Sequence, residues 1–286
     1  MGGGYVTDLT TAFGNPLSLL VLLPIVVGAA LMLVAWDVPP SQRKDLARNV
    51  RLLSFVVAVL LFVLATLMFL ESYSGIEWFS LNLNEYAYEN CTFGEIEVGA
   101  CSLISGIGVS WHVGVDGLSL PMVWLTTLLI PVSMLVEWNA KKGAYFHTLL
   151  LMMGGALIGV FVSLDLFVFY IFWELTLIPM FFLILLWGGE DRRYAAQKFF
   201  IYTFTASVIM LAGILILYFF NSVPFWDGNV TGRSFDVTLM TASATNPSLA
   251  YLGGFGMQKF VFLLLLIGFA AKMPSVPVHT WLPDAH

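Results

Sequence analysis

Long apolar runs broken by short polar segments set the pattern of this chain. A window of about 19 residues, the length that crosses a bilayer as a helix, marks runs at 17–36, 52–70, 118–136, 145–163, 165–187, 199–221 and 252–273. The pattern predicts an all-α, polytopic bundle of seven transmembrane helices. Two regions follow from it: residues 1–117, with spans one and two and a long acidic loop, and residues 118–286, with spans three to seven.

The polar segments differ in sign. The loop after the first span holds Arg43, Lys44, Arg48 and Arg51, that after the third Lys141 and Lys142, and that after the fifth Arg192, Arg193 and Lys198. Residues 71–117 instead hold Glu71, Glu77, Glu85, Glu89, Glu95, Glu97 and Asp116, with no Lys or Arg. Basic loops of membrane proteins stay on the cytoplasmic side. The expected topology therefore puts the N-terminus and the acidic loop outside a cell inner or plasma membrane. Loop 222–251, rich in Gly, Ser, Thr, Asn and Pro, is expected on the same outer side with little regular structure.

With 59% hydrophobic and 10% charged residues, the composition excludes a soluble domain, whose charged share is about 25%. The opening MGGGYVTDLT lacks the basic start of a cleavable signal, so the first run is expected to be retained. Lys and Arg total 12 and form no basic face, and nucleic acid is not an expected partner.

Candidate chemistry begins with Glu174 in the run DLFVFYIFWELTLIPMFFLILLW. Counted from Asp165, it sits about 13–14 Å along a helix rising about 1.5 Å per residue, near the middle of a hydrocarbon layer about 30 Å thick. An ionised carboxylate at that depth is costly unless it is protonated, hydrated or paired. Glu174 is therefore either a charge-handling group or a protonated side chain bonding a neighbouring helix.

Lys272 is the second buried charge. The apolar stretch between Lys259 and Lys272 reaches only about 18 Å as a helix, too little to cross the membrane. Pro274, Pro277 and Pro283 follow, and proline lacks an N–H and clashes with a continuing helix. A break after Lys272 is expected, freeing carbonyls such as those of Ala270 and Met273. A lysine beside a broken helix is a common construction for ion sites in transporters; the alternative is a span that ends at Lys272 with a tail leaving the membrane. His279 and His286 follow the break, and His147 opens the fourth span. Histidine relays protons near neutral pH, although a lone interfacial one more often serves as a hydrogen-bonding surface group. Lys198 is either an interfacial anchor or a further member of a charge chain. Cys91 and Cys101 either pair on the oxidising side or stay as thiols, and their spacing without a nearby His predicts no metal or iron–sulfur site.

Four segments, VGVDGLSL, FWELTLIPMFFLILLWG, KFFIYT and KMPSVPVHTWLPDAH, resemble in sequence and order the antiporter-like membrane subunits of respiratory complex I, the proton-translocating NADH-quinone oxidoreductase. The KMP and PDAH elements resemble the chain M branch of that family, the counterpart of mitochondrial subunit four. The resemblance covers residues 110–286. It implies a mid-membrane row of charged side chains through which protons move while quinone is reduced elsewhere in the complex. By motif, Glu174 takes the position of the glutamate of the fifth span and Lys272 that of the lysine of the broken seventh; His279, His286 and Lys198 are lesser candidates. The resemblance implies no cofactor in this chain, with flavin, iron–sulfur clusters and quinone in partner subunits. The implied partners are other membrane subunits of complex I, including the paralogous antiporter-like chains, and the lipid bilayer. Family members continue into a second set of spans related by an inverted repeat. This chain is therefore expected to be the N-terminal half of a longer fold, either a fragment or completed by a second polypeptide. Subunits of multisubunit Na+/H+ antiporters and of membrane-bound hydrogenase or F420H2-type complexes share these motifs and stand as alternatives.

Overall fold

The computed structural model describes residues 16–36, 43–74, 92–93, 96–97, 101–104, 107–138, 143–220, 223–224, 231–242 and 256–285. His286, Lys141, Lys142 and the expected Cys91–Cys101 pairing lie outside the described residues and side chains. Packing divides the chain into two compact units, residues 1–91 with 113–163, and residues 92–112 with 164–286.

The first unit packs four helices, α1 (Pro16–Trp36), α2 (Arg43–Ser74), α3 (Ser119–Val136) and α4 (Ala144–Val162). Small residues set how closely α1 and α4 approach. A Cβ on Gly155 would lie 2.8 Å from the Val21 carbonyl oxygen, and one on Gly28 would lie 3.0 Å from that of Thr148. Between α2 and α3, Trp124 donates its indole N–H to the Thr66 hydroxyl (3.0 Å) and is flanked by Phe62 and Phe69. At the basic end, the Arg51 guanidinium donates to the Trp138 carbonyl (2.5 Å) and covers its ring, while the Tyr145 hydroxyl donates to Ala35 O (2.9 Å). The segments flanking the first and third loops thus meet at one end of the unit, as an alternation of up and down spans requires. The turn before α3 is closed by Asp116, whose carboxylate accepts from Leu118 N and Ser119 N.

The second unit holds α5 (Leu166–Leu175), α6 (Leu177–Trp187), α7 (Arg192–Phe220), α8 (Val237–Ala242), α9 (Met257–Lys272) and α10 (Leu282–Ala285). Three antiparallel pairs of short strands accompany them: β1 (Thr92–Phe93) with β2 (Ile96–Glu97), β3 (Cys101–Ile104) with β4 (Val109–Trp111), and β5 (Val223–Pro224) with β6 (Thr231–Gly232). Helices α7 and α9 approach through glycine. A Cβ on Gly268 would stand 2.6 Å from Met210 Cβ, and one on Gly213 would stand 3.1 Å from Leu264 Cβ.

Six segments among the described residues are long and apolar enough to cross a membrane, Pro16–Ala35, Asp45–Tyr73, Ser119–Val136, Tyr145–Val162, Leu166–Trp187 and Arg192–Phe220. They coincide with six of the seven expected runs, and exposed apolar side chains such as Leu33, Leu60, Leu129 and Ile201 line them outward. Lipid, rather than water, suits such faces.

The seventh run holds a helix of 16 residues, Met257–Lys272, about 24 Å long and short of the hydrocarbon thickness, as the Lys259–Lys272 spacing leads one to expect. Two expectations need correction. The fifth run is not one continuous helix: it is interrupted at Thr176, between α5 and α6. Pro179 explains this, because it supplies no N–H to the carbonyl four residues before it, that of Leu175, and its ring crowds that oxygen. Within loop 222–251, where little regular structure was expected, the described residues include a strand pair, helix α8 and the buried carboxylate of Asp236.

Candidate functional site

The fifth span begins from a built cap. Asp165 is fully buried, and its Oδ1 accepts from Phe167 N (2.9 Å) and Val168 N (3.1 Å), two donors that a helix start leaves without intrahelical partners. Its Oδ2 accepts from Ser110 N (2.9 Å) and the Ser110 hydroxyl (3.2 Å). Backbone pairing of Leu166 N with Phe235 O and of Val237 N with Leu164 O joins the same helix start to the segment before α8. There, Asp236 Oδ1 accepts from Thr238 N and Oγ1, and its Oδ2 accepts from His112 Nδ1 at 2.5 Å, with both side chains of that pair buried. Burial alone would push the Asp236 carboxyl up, but the His112 contact and the Thr238 bonds hold it below its ordinary value.

From this anchored start α5 carries Glu174 inward. Around the Glu174 carboxylate stand the Tyr170 hydroxyl, one turn earlier, the Ser207 hydroxyl of α7 and the Lys272 ammonium. Its Oε1 is buried and takes no hydrogen bond among the described residues. Ser207 in turn accepts from the Trp173 indole N–H (3.3 Å) and donates to Thr203 O (2.9 Å).

Lys272 is the last residue of α9, where a positive charge complements the carbonyl end of the helix. Its ammonium does not donate to Glu174. The two hydrogen bonds go to Trp173 O (2.6 Å) and Thr176 Oγ1 (2.5 Å), and Nζ stands 4.0 Å from the centre of the Trp173 ring. The lysine therefore sits on the interruption of the fifth span, beside Glu174 and not upon it.

The chain does leave the helix after Lys272, as its prolines lead one to expect, but two carbonyls of the last helical turn are taken. Ala270 O accepts from Ser275 N (2.9 Å), correcting the expectation that it is free, and Ala271 O accepts from the Trp281 indole N–H (2.8 Å). Trp281 is buried edge-to-face on Phe199, within a cluster that includes Leu177, Ile184, Ala195 and Ala196. The tail is thus folded back on α6 and α7. Lys198 pairs with Asp284 of this tail and lies 5.7 Å over the Tyr194 ring. His279 is half-buried, with its carbonyl accepting from Leu282 N. His147, in α4 of the first unit, is buried.

The structure therefore brings together Glu174 and Lys272 and adds four residues not named from the sequence, Tyr170, Trp173, Thr176 and Ser207. Pro179, as the mark of the break, was the available signal for Thr176.

Residues 163–286 match the family described as NADH:quinone oxidoreductase/Mrp antiporter, transmembrane region. The F(420)H(2) dehydrogenase subunit M of Methanosarcina mazei is 42% identical over 215 residues, 72% of this chain and 41% of that one. The NADH-quinone oxidoreductase subunit M of Rhodobacter capsulatus is 35% identical over 277 residues, 95% of this chain and 48% of that one. This chain thus spans less than half the length of either relative. Among solved structures, a chain of respiratory complex I from Thermus thermophilus with bound NADH superposes with a TM-score of 0.69 at 29% identity, over 94% of this chain and 46% of the other.

Proposed function

Because residues 163–286 of this integral membrane chain match the NADH:quinone oxidoreductase/Mrp antiporter transmembrane family, we propose that it is a membrane subunit of a redox-driven proton pump. In this reading Glu174 and Lys272 are its proton-handling pair. The observation that carries the reading is the position of the Lys272 ammonium, hydrogen-bonded to the helix that bears Glu174 at the interruption of a membrane span. An isolated charge in an apolar span is expensive. A lysine held on two neutral acceptors beside a buried carboxylate is a construction in which a small rearrangement changes whether the lysine keeps its proton. A carboxylate close to an ammonium stabilises its charge, and in a medium of low dielectric that support falls steeply as they separate.

The proton is carried at Lys272 Nζ, and Glu174 sets how firmly it is held. Tyr170 and Ser207 give the carboxylate a polar surrounding, and the Asp165 cap fixes the start of the helix that presents it. His279, His286 and Lys198 are lesser candidates along the path. Redox chemistry belongs to partner subunits, where flavin, iron–sulfur clusters and quinone are expected, and this chain supplies no redox centre. The proposed partners are the other membrane subunits of such a complex, with the N-terminus on the outer side and the nine basic loop residues inside.

The 42% identity to the F(420)H(2) dehydrogenase subunit M favours a second reading of the electron donor. The proton path is the same in both readings, and the donor is set by partner chains. The test is E174Q in the assembled complex, reconstituted in vesicles. Protons translocated per electron should fall at least ten-fold while complex assembly is kept, and an unchanged ratio would overturn the assignment of Glu174.

A further inference from the structure

We propose that Thr176 is a positioning residue for Lys272: with the Trp173 carbonyl it forms a neutral docking station that competes with Glu174 for the ammonium. The inference rests on the reading of Glu174 and Lys272 as the proton-handling pair.

The station is complementary in its donors and acceptors. Thr176 Oγ1 donates to Trp173 O at 2.8 Å, which leaves its lone pairs to accept from Lys272 Nζ at 2.5 Å. Trp173 O also accepts from Lys272 Nζ at 2.6 Å. Three polar atoms therefore close a triangle in which no donor faces a donor. An ammonium carries three N–H groups; two are used here, and the Trp173 ring lies close by as a face for the positive charge.

Glu174 is left with an open place. Its Oε1 is buried without a hydrogen bond among the described residues, while Thr176 and Trp173 hold the lysine on the same stretch of chain. Both station acceptors are uncharged, so moving the ammonium between the station and Glu174 exchanges hydrogen bonds for an ion pair without changing the net charge of the site. The hydroxyl of Thr176 sets that balance. Other hydroxyls of the region, those of Thr203, Thr205 and Ser207, bond back to the carbonyl four residues earlier on their own helix. Thr176 instead bonds three residues back, at the interruption before α6, and this turns its oxygen towards α9.

Removing one hydrogen bond to a charged group shifts such a balance by roughly ten-fold to a hundred-fold. The test compares T176V, which keeps the shape and loses the hydroxyl, with T176S, which keeps the hydroxyl, in the assembled complex in vesicles. K272A and E174Q run beside them, and rates are normalised to assembled complex. T176V should lower proton translocation per electron at least five-fold, and T176S should restore it to within two-fold of wild type. Infrared spectra supply a second readout that packing alone does not move. The Glu174 carboxylate band, identified as the one lost in E174Q, should shift in T176V as the ammonium settles on it, and should keep its place in T176S. Wild-type pumping and an unmoved band in T176V, with K272A and E174Q inactive, overturn the station and leave the pair intact. Equal loss in T176V and T176S also overturns it, since the hydroxyl is then not the cause. Wild-type pumping in K272A and E174Q overturns the underlying pair itself. If T176V prevents assembly, T176A carries the same comparison.

Discussion

The Asp165 carboxylate divides its work cleanly between its two oxygens, and substitutions there should separate the two tasks. Oδ1 caps α5 through Phe167 N and Val168 N, while Oδ2 takes the N–H and hydroxyl of Ser110. D165A removes both. Losing the cap costs about 1 kcal/mol, and leaving the Ser110 N–H buried without an acceptor costs a further 1–3 kcal/mol or so. D165N keeps a capping oxygen, since Asn caps as well as Asp, but turns an amide donor towards the donors of Ser110. Its cost should be about 2 kcal/mol, the Ser110 share alone. S110A, which loses only the hydroxyl bond, should cost about 1 kcal/mol. The assay is thermal unfolding of the detergent-solubilised protein followed by tryptophan fluorescence. With about 2–4 °C per kcal/mol for a unit of 150–250 residues, D165A should lower Tm by roughly 4–16 °C, with D165N between it and S110A. Equal Tm values for D165A and wild type, or S110A worse than D165N, would refute this division.

Two further outcomes follow from the packing and the buried pair. G268A places a methyl 2.6 Å from Met210 Cβ, so α9 must move off α7; overpacking of this kind costs about 1–3 kcal/mol, and thermal unfolding together with pumping rate should both register it, because Lys272 is one turn further on. Asp236 titrates below its ordinary value in the folded chain, so its contribution to stability is present above the unfolded carboxyl value of about 3.9 and is lost as pH falls through the lower folded value; D236N should flatten the acid limb of a Tm-against-pH curve, and a limb as steep as that of wild type would contradict the His112–Asp236 contact.

The spans were legible because burying a helix in lipid needs a long apolar run, and such runs are visible without any tertiary information. Glu174 and Lys272 were legible for the opposite reason, as charges where none is cheap. The interruption of the fifth span was written in Pro179, but a proline in a membrane helix also occurs where the helix merely bends, as the sequence of α3 carries Pro131 without a break. Thr176 was not legible: a hydroxyl in a span usually bonds its own helix, and only the approach of α9 makes this one a ligand for a lysine 96 residues away. His112 and Asp236 are 124 residues apart, in segments with no periodic pattern, and nothing short of the fold pairs them. The carbonyl of Ala270 was expected to be free because the prolines remove helical donors; its replacement donor, Ser275 N, and the Trp281 indole that takes Ala271 O come from a tail that folds back.

The role proposed for Lys272 Nζ is to carry the translocated proton. Its most direct test is the ratio of protons translocated to electrons transferred by the assembled complex carrying K272A, measured in sealed vesicles with a pH-sensitive dye. The ratio should fall at least ten-fold, with complex assembly retained. A K272A complex that pumps at the wild-type ratio would contradict it.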